Sequence, residues 1–251
     1  MFIKLPLVDS FGNNINLEGY LTIPNYDNDT IHSKRATLVI FVHGSDSSKN
    51  SPRSNYLAHL LNKNNIATFL FDLLTKAEEE SDDKISKIQN QVPGLTLNKF
   101  NISLLADRLI KATNYILQTP EIKRREKELN IGYFGASTGV AAALYSSGKI
   151  SETISIKTIV SRGGRPDLVS SIPNYNQKII ENTKNIPLLF IIGQKDKLVL
   201  DWTNKFLKNN KLTKNSKIEI IKDASHLFQE KHTLEKVGNI AVKWFIQYLQ
   251  N

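Results

Sequence analysis

At 251 residues, 40 % hydrophobic and 23 % charged, the chain can bury a sizeable core and is too apolar for a disordered segment. It has no cysteine, which excludes disulfides, thiolate metal sites and a cysteine nucleophile. Net charge is +9, yet the lysines scatter along the chain without interleaved aromatics, which argues against nucleic acid or a membrane surface as partner.

The opening residues, from Met1 to Asp9, lack the apolar stretch and cleavage site of a secretory signal. No run approaches the roughly 20 apolar residues of a membrane span, so a cytoplasmic protein is expected. Residues 3–8 and 15–23 predict a hairpin turned at Gly12-Asn-Asn14. Thr37-Leu-Val-Ile-Phe-Val42 is continuously apolar, as a parallel strand covered on both faces should be. Further runs of this kind lie at 66–71, 131–134, 156–160, 187–192 and 217–221.

Between them stand helical patterns. Ile102, Leu105, Leu109, Ala112 and Ile116 share one face, as do Leu234, Val237, Ala241, Trp244, Phe245 and Tyr248 near the end. Ala141-Ala-Ala-Leu144 suits a helix pressed close to a sheet. The acidic stretch 72–99 reads as a loop with short helical pieces, and 162–185 as a second irregular connection. The densest basic cluster, Lys123-Arg-Arg-Glu-Lys127, is bordered by Glu121 and Glu128 and reads as solvated surface. This alternation predicts one α/β domain over residues 1–251, with a mostly parallel eight-stranded sheet between helices.

The sharpest motif is Gly135-Ala-Ser-Thr-Gly139, set between the strand at 131–134 and the alanine-rich helix. A serine on so tight a strand-to-helix turn projects Oγ over the sheet and aims the helix N-terminus at a developing anion. Such a hydroxyl needs a base within hydrogen-bond reach, oriented in turn by a carboxylate. Two strands run into Gly193-Gln-Lys-Asp196 and Asp223-Ala-Ser-His226, so Asp196 and His226 follow Ser137 in the chain order Ser, Asp, His. Both then sit beyond carboxyl ends of strands, where open α/β sheets place their sites.

The alternatives fit less well. His32 and His59 fall in a loop and a surface helix, His232 opens the last helix, and His43 ends a buried strand where a structural role suits it. Asp201 suits the N-cap of a helix beginning at Trp202, Asp72 suits loop amides, and Asp223 as the acid would leave Asp196 unexplained. An oxyanion hole needs two backbone N–H groups. Thr138 supplies one, and the His43-Gly-Ser-Asp46 loop the other, at Ser45 or else Gly44. No H-E-x-x-H, G-x-G-x-x-G or P-loop is present, so neither metal nor cofactor is expected.

With these residues assembled, the chain resembles the dienelactone hydrolase-like branch of the α/β-hydrolase superfamily. The likeness is carried by 41–45, 69–74, 132–139, the Ser161-Arg-Gly-Gly-Arg-Pro-Asp-Leu168 run, 193–196 and 224–228. The resemblance implies a sheet with one antiparallel strand, no large cap, a Ser137–Asp196–His226 triad and an oxyanion hole at Thr138 and Ser45. Dienelactone hydrolases proper use a cysteine nucleophile, which is absent here. The expected substrate is therefore a small soluble carboxylic ester rather than dienelactone, and the expected assembly a monomer or homodimer.

Asp46 in the oxyanion loop disfavours an anion close by. Arg162, beside the nucleophile strand, can anchor a substrate carboxylate or form an ion pair with Asp167 or the acidic 72–99 stretch. A non-catalytic ligand-binding protein and an acyltransferase with the same triad are the competing readings.

Overall fold

The computed structural model describes residues 1–9, 12–24, 36–88, 97–124, 129–150, 154–173 and 177–250. In chain order the elements are β1 (Phe2–Val8), β2 (Asn14–Thr22), β3 (Thr37–Val42), α1 (Pro52–Lys63), β4 (Ala67–Phe71) and α2 (Lys76–Ile88). Then come α3 (Ile102–Gln118), α4 (Pro120–Lys123), β5 (Asn130–Ala136), α5 (Gly139–Ile150), β6 (Ile156–Arg162) and α6 (Gln177–Glu181). The chain closes with β7 (Leu188–Gly193), α7 (Lys197–Asn209), β8 (Ser216–Ile221) and α8 (Thr233–Phe245). The apolar runs are the strands, within two residues at either end of the ranges read from sequence. His32 and most of the basic cluster lie outside the described residues.

The strands form one eight-stranded sheet in the order β1-β2-β4-β3-β5-β6-β7-β8. Only β2 runs against the rest, pairing antiparallel with both β1 and β4. The other pairs are parallel. After β3 the chain crosses to β4 on one side, and later returns to lay β5 on the other. The order of strands thus reverses at the β3/β5 boundary, and a crevice opens at their carboxyl ends. That crevice receives the loops after β3 and β5.

Both faces are covered. On one, α1 and α8 bury Leu57, Leu61, Val237, Ala241 and Phe245 against Val39, Phe41, Phe134 and Val160. On the other, α3, α5 and α7 bury Leu105, Leu109, Val140, Leu144 and Phe206 against Leu38, Ile40 and Tyr133. This two-sided cover is why the central strands are uniformly apolar. Among the described residues no cap domain stands over the sheet, and no helix is long and apolar enough to cross a membrane.

Two expectations need correction. The acidic stretch is not a loop with short pieces, because residues 76–88 form the 13-residue helix α2. Its anchors are polar: buried Asp82 accepts from the Asn98 and Lys99 amides at 2.8 Å each. Glu78 and Arg108 of α3 pair, and Arg108 also donates to the Leu73 carbonyl at 2.7 Å. Asp201 is not an N-cap either. The helix begins earlier, at Lys197, and Asp201 lies inside it, paired with Lys205 at 2.7 Å.

Candidate active site

All seven residues of β5 are buried, and the chain must pass from it into α5 across Ser137 and Thr138. Ser137 meets that demand with φ +47°, the left-handed region that L-residues avoid. The turn is tight because α5 starts against the end of β3. A Cβ on Gly139 would stand 2.1 Å from the Val42 carbonyl oxygen, so no larger residue fits. The Ser137 carbonyl accepts from the Arg165 amide at 2.9 Å. Arg165 is itself fixed by two bonds to Asp167, 2.9 and 2.7 Å, and its guanidinium lies 3.7 Å from the centroid of the Trp202 ring. The elbow is therefore braced from β3 and α7.

Asp196 occupies the N-cap position of α7, yet its side chain bonds no helix amide. Its Oδ2 instead accepts from His226 Nδ1 at 2.5 Å. The carboxylate is 12 % exposed and the imidazole 39 %, so the carboxylate is shielded while the ring stays partly open to solvent. With Nδ1 committed, Nε2 is the nitrogen left to act as base. The rival acid is elsewhere: Asp223 is exposed, and its amide donates to Gln194 Oε1. The loop carrying His226 is held by Glu230, whose carboxylate accepts from the Ser225 amide at 3.0 Å.

Ser137 and His226 each approach one of two consecutive residues in a single loop. The Ser137 amide donates to the Arg162 carbonyl at 3.3 Å, and a Cβ on Gly163 would lie 3.4 Å from the His226 ring. Gly163 has φ +54°, so glycine suits the position on both counts. No Ser137–His226 hydrogen bond is formed in this structure. Such bonds are commonly open in the free enzyme and tighten with substrate.

The loop after β3 closes the other side. A Cβ on Gly44 would come within 2.9 Å of Ser137 Cβ, so this loop packs closely against the elbow. Neither Thr138 nor Ser45 has an acceptor for its amide among the described residues. His43 plays the structural part: Nε2 accepts from the Leu73 amide at 2.9 Å, and burial pushes its pKa below the ordinary value. Asp46 is exposed and paired with Lys99 at 2.8 Å, which tempers its charge. A cavity of about 330 Å³ borders this loop, lined by Ser45, Leu74, Glu79, Asp82 and Lys99 among others.

Arg162 ends β6, and only 7 % of it is exposed. Neither ion-pair partner suggested by the sequence reaches it, since Asp167 belongs to Arg165 and Glu78 of the acidic stretch to Arg108. Its neighbour in charge is Arg53, on the first turn of α1, a residue the sequence reading passed over. No local motif marks Arg53, whose helix packs against β4 and α8.

A dienelactone hydrolase from Anabaena variabilis superposes with a TM-score of 0.76 at 36 % identity, over 99 % of this chain and 97 % of that one. The chain belongs to the dienelactone hydrolase family. More distant members of the fold include Est1E from Butyrivibrio proteoclasticus, at 16 % identity, TM-score 0.64 and 98 % of both chains. Carboxyl esterase 2 from Tuber melanosporum matches at 13 % identity, TM-score 0.64, over 99 % of this chain and 87 % of that one. Among curated proteins, one from Mycobacterium tuberculosis named "Putative phosphoribosyl transferase" is 34 % identical over 235 residues. That stretch is 94 % of this chain but 44 % of the relative, so this dienelactone hydrolase relative spans less than half the length of the curated protein. No protein-family model matches the sequence.

Proposed function

We propose that this dienelactone hydrolase relative is a serine hydrolase that cleaves a carboxylic ester through an acyl-enzyme on Ser137. The observation that carries the reading is the 2.5 Å Asp196–His226 bond beside a serine held at φ +47°. Membership in a hydrolase family, with esterases among the fold neighbours, supports it.

In the proposed cycle Ser137 Oγ attacks the acyl carbon as His226 Nε2 takes the hydroxyl proton. Asp196 holds the ring and stabilises the imidazolium. The tetrahedral oxyanion rests on the Thr138 and Ser45 amides, donors worth about 3 kcal/mol each in comparable holes. As the intermediate collapses, His226 returns the proton to the departing alkoxide. Water then attacks the acyl-enzyme, gives its proton to His226, and Ser137 is regenerated with release of the acid.

The test is incubation with a fluorophosphonate followed by intact-mass analysis, alongside hydrolysis of short-chain p-nitrophenyl esters. A single adduct that disappears in Ser137→Ala, together with turnover lost in the same variant, is the expected result. An unlabelled protein with the same rate in both forms overturns the reading.

A further inference from the structure

Buried arginines normally find carboxylates, because an unpaired cation out of water is costly. Arg162 finds none. Its Nε is buried without a hydrogen-bond partner, and so is the Nε of Arg53. Among the described residues neither guanidinium makes a hydrogen bond or ion pair to any protein group. Arg162 lies two residues beyond Val160 on β6, hence on the same sheet face, and Val160 packs in one cluster with Leu57 and Leu61 of α1. Arg53 sits on the first turn of that helix.

Two like charges therefore converge, one of them nine-tenths buried, at the carboxyl end of the strand next to the nucleophile. Burial, and then repulsion from Arg53, pull the Arg162 pKa down to about 10, so Arg162 remains a cation at neutral pH. The same loop runs on to Gly163, against the His226 ring. The protein tolerates an arrangement that destabilises it, at the end of the strand paired with the one that leads into Ser137.

We propose that Arg53 and Arg162 form an anion site that receives a phosphate group carried by the substrate of the Ser137 centre. Charge counting selects phosphate: a monoester carries about −1.5 to −2 at neutral pH, matching two cations. A single carboxylate would leave one of them uncompensated. A guanidinium presents donors in a planar fork, and two forks can share the oxygens of one tetrahedral anion. That the phosphate belongs to an acyl substrate rests on the hydrolase reading above. That an anion binds between the arginines does not.

The experiment separates the two. Calorimetric titrations with inorganic phosphate and with acetate, at matched ionic strength, are made on the wild type and on Ser137→Ala. Phosphate should bind both forms at least tenfold more tightly than acetate, and Arg162→Met or Arg53→Met should weaken it at least tenfold. Arg53→Met, at a half-buried site, guards against a folding failure at Arg162.

No phosphate binding, binding that survives both substitutions, or acetate binding as tightly as phosphate each overturns the assignment. In parallel, kcat/KM for 1-acetylglycerol 3-phosphate should exceed that for 1-acetylglycerol at least tenfold, with the preference lost in Arg162→Met. Equal values overturn the link to substrate. Arginine-dependent phosphate binding without turnover of either ester leaves the anion site standing and sinks the hydrolase reading instead.

Discussion

Asp196 could cap α7 and does not; its carboxylate goes to His226. Asp196→Asn should therefore cut kcat for p-nitrophenyl esters by about 10⁴-fold while leaving circular dichroism unchanged, because an amide stabilises the wrong imidazole tautomer. A loss below tenfold would mean that something other than Asp196 orients the base. His43 makes the opposite case, a buried imidazole with no chemistry to perform. His43→Ala leaves the Leu73 amide unsatisfied and should cost about 1–3 kcal/mol in urea denaturation. Burial lowers the His43 pKa from its ordinary 6.5, so the unfolded chain binds the proton first as pH falls. Its contribution is complete above pH 6.5 and is lost progressively below that value. The charges nearest this ring are Asp72 and Lys49, paired at 2.5 Å. Stability measured from pH 7.5 to 5 should fall less steeply in His43→Gln than in the wild type.

Among the elements, α2 depends on polar anchors. Arg108, buried on α3, ties Glu78 and the Leu73 carbonyl together, so Arg108→Leu should cost about 1.5–3 kcal/mol and speed proteolysis within residues 72–99. Unchanged cleavage kinetics would show that α2 is held by other means. The same anchors explain what the sequence hid. Strands and amphipathic helices announce themselves by where apolar residues recur, and β3, β5, α3 and α8 were legible for that reason. Helix α2 buries Asp82 where a core helix would bury a leucine, so hydrophobic spacing found nothing. One local signal was available. In Thr75-Lys-Ala-Glu78 the glutamate accepts from the Thr75 amide at 2.8 Å and the threonine hydroxyl from the Glu78 amide at 3.3 Å, a capping box. The residues proposed as a triad could be picked out because each follows a strand. The proximity of Arg162 to Arg53 was not, since the two are distant in sequence and no local pattern links them.

For the molecule as a whole, a net charge of +9 attracts anions at long range. Raising sodium chloride from 20 to about 200 mM shortens the Debye length from roughly 21 to 7 Å. Over that interval kcat/KM for a phosphate-bearing ester should fall several-fold while that for its neutral counterpart stays flat. Parallel salt responses would place the effect in the protein's conformation and not in encounter. The backbone at residue 137 has a wider consequence. Holding an L-residue at φ +47° costs about 1–3 kcal/mol, and glycine would relieve it. Ser137→Gly should thus melt later than the natural protein and, on the proposed mechanism, hydrolyse no ester. Any search of variants that rewards heat resistance alone will enrich inert sequences at the elbow, so turnover has to be selected alongside it.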